Sequence, residues 1–335
     1  MKRIPHTLSA LAVIGVLTLS GCGASSNNTE GGDASSSSAA QAENSKTVSV
    51  EDNFGTHDVQ APVKAAAVTD NRSFELVDKW GVDVVAAPKQ LVPTTIPGIK
   101  NDQNIVDLGT HREPDLEALA SAEPDVILNG QRFSQHYKDI QELNPEATLL
   151  EFEPRDGEPM LPELKRHTTA LGEVFGKQDD AKQLVSDLDQ ATEAAKKAYD
   201  PQQKVIAINV SGGEMGYIAP GKGRFFGPLF DELNLTPALQ VENASDDHEG
   251  DDISVEAIAK ANPDWILVLD RDAAVSKDPN VTPAKEVIMN SEALKNVTAV
   301  KKGNIVVAPA DTYYNENIIT YTEVLTSMKD AFEKA

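Results

Sequence analysis

The stretch DLEALASAEPDVIL at residues 115–128 occurs a second time, as SVEAIAKANPDWIL, at residues 254–267. Eight of the fourteen positions are identical, and two more exchange one aliphatic residue for another. The offset of 139 residues far exceeds the period of roughly 20 to 50 residues in solenoid proteins, so the duplication predicts two similar lobes and not an array. Seven residues after the shared aspartate, each copy reaches an arginine, Arg132 in the first and Arg271 in the second.

Each copy has the pattern of a helix followed by a strand. In the first copy, Leu116 and Leu119 follow the helical period, and Pro124 ends the helix before an aliphatic strand begins. The arginine then lies just past the strand, at the carboxyl edge of a sheet, where open α/β sheets bind their ligands. We therefore expect one arginine from each lobe to face a shared cleft.

Strand-like segments alternate with amphipathic helices along the chain, which predicts an α/β fold whose two lobes contain mainly parallel sheets flanked by helices. The predicted strands are residues 63–68, 82–86, 126–129, 147–151, 205–210, 265–269 and 305–308. Residues 162–200 have the longest helical pattern, and we predict that they form a single long helix joining a first lobe at 47–161 to a second at 201–335. A helical connection should limit lobe closure on ligand binding.

The chain begins with the features of an exported lipoprotein. Residues 1–21 combine a short basic start with an apolar run that is too short to span a bilayer, as a secretory signal does. They end in Leu-Ser-Gly before Cys22, a tetrapeptide that resembles the lipobox whose cysteine carries lipid in bacterial lipoproteins. Cys22 is the only cysteine, so it has no disulfide partner within the chain. Residues 22–46 lack aromatic residues and a hydrophobic period, which predicts a flexible tether on the outer face of the cytoplasmic membrane.

Composition narrows the classes of function. The net charge of −23 becomes −25 once Lys2 and Arg3 leave with the signal, and such acidity disfavours nucleic acid and anionic lipid surfaces as partners. The sequence contains no G-x-S-x-G, P-loop or H-E-x-x-H motif, and its six histidines and one cysteine do not suggest a structural zinc site. We predict a binding protein, not an enzyme, with no intrinsic cofactor.

Three further segments carry side chains suited to an anionic or metal-containing ligand. Arg224 lies in the glycine-rich loop GKGRFFG, where the backbone and an arginine can approach an anion closely. His248 lies in the acidic run DDHEGDD, directly before the second copy of the duplicated stretch. Tyr313 follows the last predicted strand and is itself followed by Tyr314. A phenolate is a hard oxygen donor that suits ferric iron, and an imidazole can join it.

Together these segments resemble the ferric-siderophore-binding lipoproteins of bacterial ABC importers, in particular the subgroup that carries catecholate siderophores. The resemblance runs from about Thr47 to the end of the chain and includes the lipobox. It implies two α/β lobes joined by one long helix, with the ligand in the cleft. The three arginines that surround the catecholate oxygens in that subgroup correspond to Arg132, Arg224 and Arg271. The family commonly has Gly-Arg-Gln where this chain has Gly-Gln-Arg, so Gln131 joins the ligand-binding candidates.

The same resemblance implies roles for two further pairs of residues. A histidine and a tyrosine that complete the coordination of iron correspond to His248 and Tyr313, so that ferric iron enters only as part of the bound siderophore. In this importer class, an acidic residue on each lobe pairs with arginines of the permease, and Glu117 and Glu256 occupy matching places in the two copies. The expected partners are a ferric catecholate siderophore and ABC permease subunits, with the membrane contacted through the lipid anchor only and the chain acting as a monomer.

Other functions are compatible with the same residues. A haem or cobalamin receptor of the same fold could use one or two of the arginines, although three converging arginines suit a more highly charged ligand. A cell-surface enzyme could use His248 and nearby carboxylates as acid and base, and it would show turnover instead of stoichiometric binding. A structural surface lipoprotein would bind nothing small.

Overall fold

The two copies of the duplicated stretch fold in the same way, each as a short helix that leads into an interior strand of a sheet. The Asp115 carboxylate accepts a hydrogen bond from the backbone N–H of Ala118 at the start of the first helix, and the Ser254 hydroxyl accepts one from Ala257 at the start of the second. These N-caps satisfy backbone donors that the first turn of a helix leaves unpaired. Equivalent local contacts therefore begin both helices.

The aspartate shared by the two copies fixes the strand next to its own. Oδ2 of Asp125 accepts hydrogen bonds from the backbone N–H groups of Lys64 and Ala65 at 2.8 and 3.1 Å, and Oδ2 of Asp264 accepts one from Lys204 at 2.8 Å. Each aspartate thereby holds the entrance of the strand that pairs in parallel with the strand of the repeat. The duplication thus recurs as one structural unit in both lobes, as the sequence predicts.

The computed structural model describes residues 46–278 and 280–335, so the predicted signal peptide, Cys22 and the tether up to residue 45 lie outside the described residues. The strands are β1 (Lys46–Glu51), β2 (Thr56–Ala61), β3 (Ala66–Val68), β4 (Val84–Ala87), β5 (Val106–Asp107), β6 (Gly109–Thr110), β7 (Glu113–Pro114), β8 (Val126–Asn129), β9 (Thr148–Glu151), β10 (Lys204–Ser211), β11 (Glu214–Ile218), β12 (Thr236–Pro237), β13 (Asp251–Asp252), β14 (Trp265–Asp270) and β15 (Ile305–Val307).

The helices complete the layers on both faces of the sheets. The α-helices are α1 (Phe74–Trp80), α2 (Pro97–Lys100), α3 (Leu116–Ser121), α4 (Tyr137–Leu143), α5 (Met160–Val174), α6 (Gln178–Ala198), α7 (Gly227–Glu232), α8 (Val255–Ala261), α9 (Arg271–Val275), α10 (Ala284–Met289), α11 (Thr298–Lys302) and α12 (Ile318–Phe332), and a 3-10 helix spans Gln131–His136. Across the described ranges, no helix combines the length and the apolar character that crossing a membrane requires.

Each lobe contains one main sheet, and both are mainly parallel. The first has the strand order β5-β4-β3-β8-β9 with every pair parallel. The second has the order β13-β11-β10-β14-β15, with β12 also beside β10. The pairs that β10 forms with β12 and β14, and the pair β14–β15, are parallel. β11 pairs antiparallel with both of its neighbours, β10 and β13. The predicted α/β class with mainly parallel sheets flanked by helices is confirmed.

The antiparallel part of the second sheet begins at a tight hairpin that we did not predict. Gly212 and Gly213 join β10 to β11 with φ values of 61° and 79°, and Ser211 pairs with Glu214 across the turn. A two-residue turn of this kind needs positive φ at both central positions, which glycine adopts without strain. The glycine pair therefore returns the chain along β10 instead of leading it into a helix.

The predicted single connecting helix is divided into two packed helices, α5 and α6. The chain reverses at Gly176, whose φ is +66°, and the backbone N–H of Lys177 donates to the carbonyl of Gly172 at 2.7 Å. A Cβ at Gly172 would lie 2.6 Å from the Cβ of Ala181, so the two helices approach each other closely at this glycine. The helical pattern was correct, but the left-handed residue at Gly176 ends the first helix.

The two sheets share one hydrophobic core through these helices. Leu128 of the first sheet and Leu267 of the second belong to the same cluster of buried side chains, together with Leu171 of α5, Leu188 of α6 and Leu325 of α12. The described residues form one compact unit. Because close-packed side chains resist relative displacement, a continuous core of this kind supports the expectation of limited lobe closure.

Glu163 of α5 is a buried carboxylate whose charge is matched by two arginines. Its side chain is 2% exposed, and its oxygens accept hydrogen bonds from Nη2 of Arg155 at 2.6 Å and from Nη2 of Arg166 at 2.9 Å. Burial acts to raise the pKa of Glu163, but the hydrogen bonds from Arg155 and Arg166 outweigh it and hold the pKa at about 2. The carboxylate therefore stabilises the fold only while it is ionised.

We expect Glu163→Gln to lower the free energy of unfolding by about 1 to 2 kcal/mol at pH 7. This is less than the lowered pKa alone would give, because solvent screens the half-exposed Arg155. A lowered pKa gives stability that is present above the ordinary value of 4.5 and is lost as the pH falls towards 2. Urea unfolding of both proteins should therefore show a difference at pH 7 that shrinks steadily below pH 4.5. A difference that does not depend on pH would contradict this role.

Candidate functional site

A cavity of about 900 Å³ lies at the carboxyl edges of both sheets. Its lining includes residues that follow strands, namely Arg72 after β3, Arg132 after β8, Glu153 after β9, Arg271 after β14 and Tyr313 after β15. Cavities that bind small molecules commonly have volumes of roughly 300 to 1,000 Å³. The cavity thus lies at the sheet edge where the duplicated stretch predicts a ligand site.

The three predicted arginines converge on the ring of Tyr313. The guanidinium carbon lies 4.2 Å from the ring centroid in Arg224, 5.2 Å in Arg271 and 5.6 Å in Arg132. Tyr313 itself is only 4% exposed. Cations within about 6 Å of an aromatic face are attracted to it, so the ring partly offsets the repulsion among the three charges. The sequence therefore identified four side chains that meet at one place.

Two of these arginines are oriented by hydrogen bonds. Nε of Arg224 donates to Oε1 of Glu316, and Nη2 of Arg224 donates to the carbonyl of Tyr313 at 2.9 Å. Nη1 of Arg271 donates to the hydroxyl of Ser211 at 3.0 Å, and its Nη2 lies 3.3 Å from the Glu249 carboxylate. Fixing these long side chains in advance lowers the entropy that ligand binding must remove.

Arg132 is the least compensated of the three arginines. Burial lowers its pKa, and the nearby charge of Arg224 lowers it further, despite the opposing effects of Tyr313, Glu316 and Tyr314. Its Nη1 is buried and finds no hydrogen-bond acceptor within the described ranges. A partly buried cation with a buried, unused donor favours an anion in the cavity.

Gln131 also lines the cavity, and its backbone is held in an uncommon conformation. Its φ is +52°, and its N–H donates to Oε1 of Glu153. When its amide oxygen faces Arg72, that oxygen accepts from Nη1 and Nη2 at 3.1 and 3.0 Å. Gln131 therefore fixes the turn that carries Arg132 through contacts with Glu153 and Arg72. The neighbouring Arg132 keeps an unpaired donor.

His248 lines the same cavity but differs from Tyr313 in its surroundings. Its side chain is 56% exposed, and its ring nitrogens lie 3.8 Å from the carboxylates of Asp247 and Glu249. Residues 46–278 and 280–335 contain no group of three or more His, Cys, Asp or Glu side chains arranged to hold a metal ion by themselves.

Arg72 and Glu153 also line the cavity, and the sequence analysis did not identify either of them. Arg72 is buried, and its Nη1 donates to Glu153 at 3.0 Å. Arg72 follows β3 and Glu153 follows β9, so both obey the strand-edge rule that identified Arg132 and Arg271. Applying that rule to every predicted strand, and not only to the duplicated one, would have found them.

The two matching glutamates of the duplicated stretch lie on the surface. Glu117 and Glu256 are exposed, each is the second residue of its helix, and neither has an ion-pair partner in the part of the chain that is described. The strand after each helix pairs in parallel with its neighbour, so the chain must return from the carboxyl edge of the sheet, and each helix begins near that edge. An acidic residue in a first turn also stabilises the helix dipole, which accounts for part of their placement.

Comparison with known proteins gives relatives over the whole chain. The petrobactin-binding protein YclQ of Bacillus subtilis is 28% identical over 341 residues, covering 100% of both chains. The ferric-anguibactin-binding protein FatB of Vibrio anguillarum is 27% identical over 267 residues, covering 79% of this chain and 80% of the relative. Two further Bacillus subtilis relatives, YfiY and YhfQ, are 27% and 22% identical, cover 87% and 81% of this chain and 86% and 84% of their own, and are named as lipoproteins.

Solved structures share the same fold. The crystal structure of YclQ from Bacillus subtilis matches with a TM-score of 0.73 at 26% identity, covering 87% of this chain and 100% of that one. The siderophore-binding protein BauB, solved with two acinetobactin molecules and ferric iron, also matches with a TM-score of 0.73, at 25% identity, covering 86% of this chain and 99% of that one.

The family model for periplasmic binding proteins matches residues 67–312, which is well over half of the chain. The matched region contains both copies of the duplicated stretch and the three arginines Arg132, Arg224 and Arg271, and it ends one residue before Tyr313. The prediction of a binding protein rather than an enzyme is confirmed by this match and by the relatives. The chain belongs to the periplasmic binding protein family.

Proposed function

We propose that this protein captures a ferric siderophore, of the catecholate type, in the cavity between its sheets and delivers it to an ABC importer for iron uptake. The observation that carries this proposal is the convergence of Arg132, Arg224 and Arg271 on one aromatic ring. The siderophores bound by the similar proteins YclQ, FatB and BauB, which are petrobactin, anguibactin and acinetobactin, support a siderophore as the ligand.

The chemistry of the cavity suits a ferric catecholate. Such a complex is a multiply charged anion with planar aromatic arms, and guanidinium groups stay ionised and present planar forks of donors to its oxygens. The buried Nη1 of Arg132 has a donor to offer, and an anion nearby would relieve the repulsion between Arg132 and Arg224. Haem, with its two carboxylates, would leave part of this charge unmatched.

In this proposal, His248 and Tyr313 are the side chains that coordinate iron when a siderophore supplies only four donors. Both line the cavity, and imidazole and phenolate are suitable ligands for ferric iron. The iron belongs to the cargo, and no resident cofactor is needed for this activity.

An absorbance experiment tests the proposed function. The protein is mixed with the ferric complex of 2,3-dihydroxybenzoate, desalted, and scanned for the charge-transfer band of the complex. Retention of the band at a ratio of one complex per chain is the expected result. Loss of the band on desalting, together with retention of haem in a parallel sample, would favour the haem receptor instead.

The N-terminal features support a location on the outer face of the cytoplasmic membrane, with lipid on Cys22. Two relatives that are named as lipoproteins support the same anchoring. Cell fractionation of Cys22→Ser provides the test, because a protein that stays in the membrane fraction without this cysteine would rule the anchor out.

Glu117 and Glu256 are our candidates for docking to the permease. We expect the double variant Glu117→Lys/Glu256→Lys to lower siderophore-dependent iron uptake at least about tenfold, since like charges at an interface cost several kcal/mol. Ligand affinity should not change, because both side chains are exposed and neither lines the cavity. Glu142→Lys/Glu193→Lys makes the same change of charge at two other exposed positions and should transport normally. Equal uptake by the two double variants would argue against docking through the repeat.

A further inference from the structure

Glu316 is a buried carboxylate at the base of the cavity, in the segment between β15 and α12. It is 6% exposed. The residues on either side hold it in place, because the amides of Asn315 and Asn317 both donate to Oε2 of Glu75 in α1, at 2.9 and 3.0 Å. The side-chain oxygen of Asn317 also caps α12 through the N–H groups of Ile319 and Thr320. The backbone of Glu316 is therefore fixed against the first lobe although it belongs to the second half of the chain.

The carboxylate of Glu316 lies between a cation from each half of the chain. Its Oε1 accepts the Nε–H of Arg224, and its Oε2 lies 4.0 Å from Nη2 of Arg72. Arg72 has a second carboxylate partner in Glu153 at 3.0 Å. For Arg224, Glu316 is the sole ion-pair partner among the residues that the structure describes. Among the described residues, loss of Glu316 would therefore leave Arg224 without an ion-pair partner, whereas Arg72 would keep Glu153.

Two contacts fix the plane of the Arg224 guanidinium. Nε is held by Glu316, Nη2 is held by the carbonyl of Tyr313 at 2.9 Å, and the group lies 4.2 Å from the centroid of the Tyr313 ring. A free arginine side chain loses up to about 2 kcal/mol of conformational freedom when it is fixed. Glu316 also counters the charge of Arg224, whose repulsion acts on the partly buried Arg132.

We propose that Glu316 is a positioning residue for ligand binding, an internal carboxylate that holds Arg224 in the orientation in which it meets the ligand. The choice of a ferric catecholate as the ligand rests on the proposed function, whereas the orientation of Arg224 does not. A buried negative charge near an anionic ligand would by itself weaken binding. The direction of the effect of neutralising Glu316 therefore separates positioning from simple repulsion.

A double-mutant cycle tests this role with the ferric complex of 2,3-dihydroxybenzoate as the probe. We expect Glu316→Gln to weaken binding about tenfold in the wild-type background and not to weaken it in the Arg224→Ala background, because the loss passes through Arg224. Tighter or unchanged binding by Glu316→Gln, or a tenfold loss that persists without Arg224, would overturn the proposal. Glu142→Gln is the matched control, since it makes the same substitution at an exposed residue outside the cavity. It should change affinity by no more than about twofold.

A second readout works without any siderophore. The Nε–H of Arg224 should give a distinct, slowly exchanging arginine signal in ¹⁵N NMR spectra, identified by its loss in Arg224→Lys. We expect Glu316→Gln to abolish the slow exchange, and persistence of it would contradict the contact. If the probe does not bind but the signal behaves as expected, the proposed function fails and the positioning role stands.

If Glu316→Gln does not fold, Arg224→Lys replaces it in the binding assay, because lysine keeps the charge but lacks the donor pair that reaches both Glu316 and the Tyr313 carbonyl. It should bind about tenfold more weakly, and full affinity would overturn the proposal.

Discussion

Arg224→Ala is expected to lower the affinity for a ferric catecholate by about 100-fold. Truncation of one partner of a desolvated charge pair costs about 2 to 5 kcal/mol, and each 1.4 kcal/mol corresponds to a factor of ten. In this cavity the change removes the guanidinium nearest to the Tyr313 ring. It also leaves Glu316 without its hydrogen-bonded cation, close to an anionic ligand. Both effects weaken binding.

Fluorescence titration of the tryptophans with the ferric complex measures this affinity. Lys285→Ala is the matched control, because it removes the same charge at an exposed residue outside the cavity and should bind as the wild type does. Equal affinities of Arg224→Ala and Lys285→Ala would show that the arginines around Tyr313 do not form the binding site.

Trp265→Ala is expected to destabilise the protein by about 3 to 5 kcal/mol, the range for removal of a large buried aromatic side chain. Trp265 begins β14, is 1% exposed, and meets Phe332 of α12 edge to face with the ring centroids 4.8 Å apart. Its indole N–H also donates to the side chain of Gln203. The substitution leaves a cavity where the second copy of the duplicated stretch joins the core that spans both sheets.

Urea unfolding followed by far-ultraviolet circular dichroism measures this loss without relying on the tryptophan signal. Trp265→Phe keeps most of the apolar volume and loses the hydrogen bond, so it should cost about 1 to 2 kcal/mol. A cost below about 1 kcal/mol for Trp265→Ala would mean that α12 and β14 are not held together through this contact.

The parts of the fold that depend on residues close together in the chain could be predicted from the sequence. The duplicated helix and strand were predictable because Pro124 and Pro263 mark the helix ends and because capping residues precede both helices. The division of the connector at Gly176 was harder to predict, since a glycine within a helical pattern is compatible with a continuous helix as well as with a turn. Its turn is stabilised by the close approach of Gly172 to Ala181, a tertiary contact.

The candidate site likewise has residues whose positions the sequence predicts and contacts that it does not predict. The positions of Arg132 and Arg271 follow from the rule that ligands bind at the carboxyl edges of strands, which needs only the order of helix and strand. The role of Glu316 depends on contact with Arg224, 92 residues earlier in the chain, and no local pattern marks such a pair. That all three arginines meet at Tyr313 depends on the loops between the two sheets, whose conformation the sequence pattern does not determine.

Crystals grown with a ferric catecholate, measured at the iron absorption edge, would locate the bound complex directly. We expect one iron peak in the cavity, with catecholate oxygens within hydrogen-bond distance of the guanidinium groups of Arg132, Arg224 and Arg271. An iron peak outside the cavity, or a complex in the cavity whose oxygens contact none of these arginines, would contradict it.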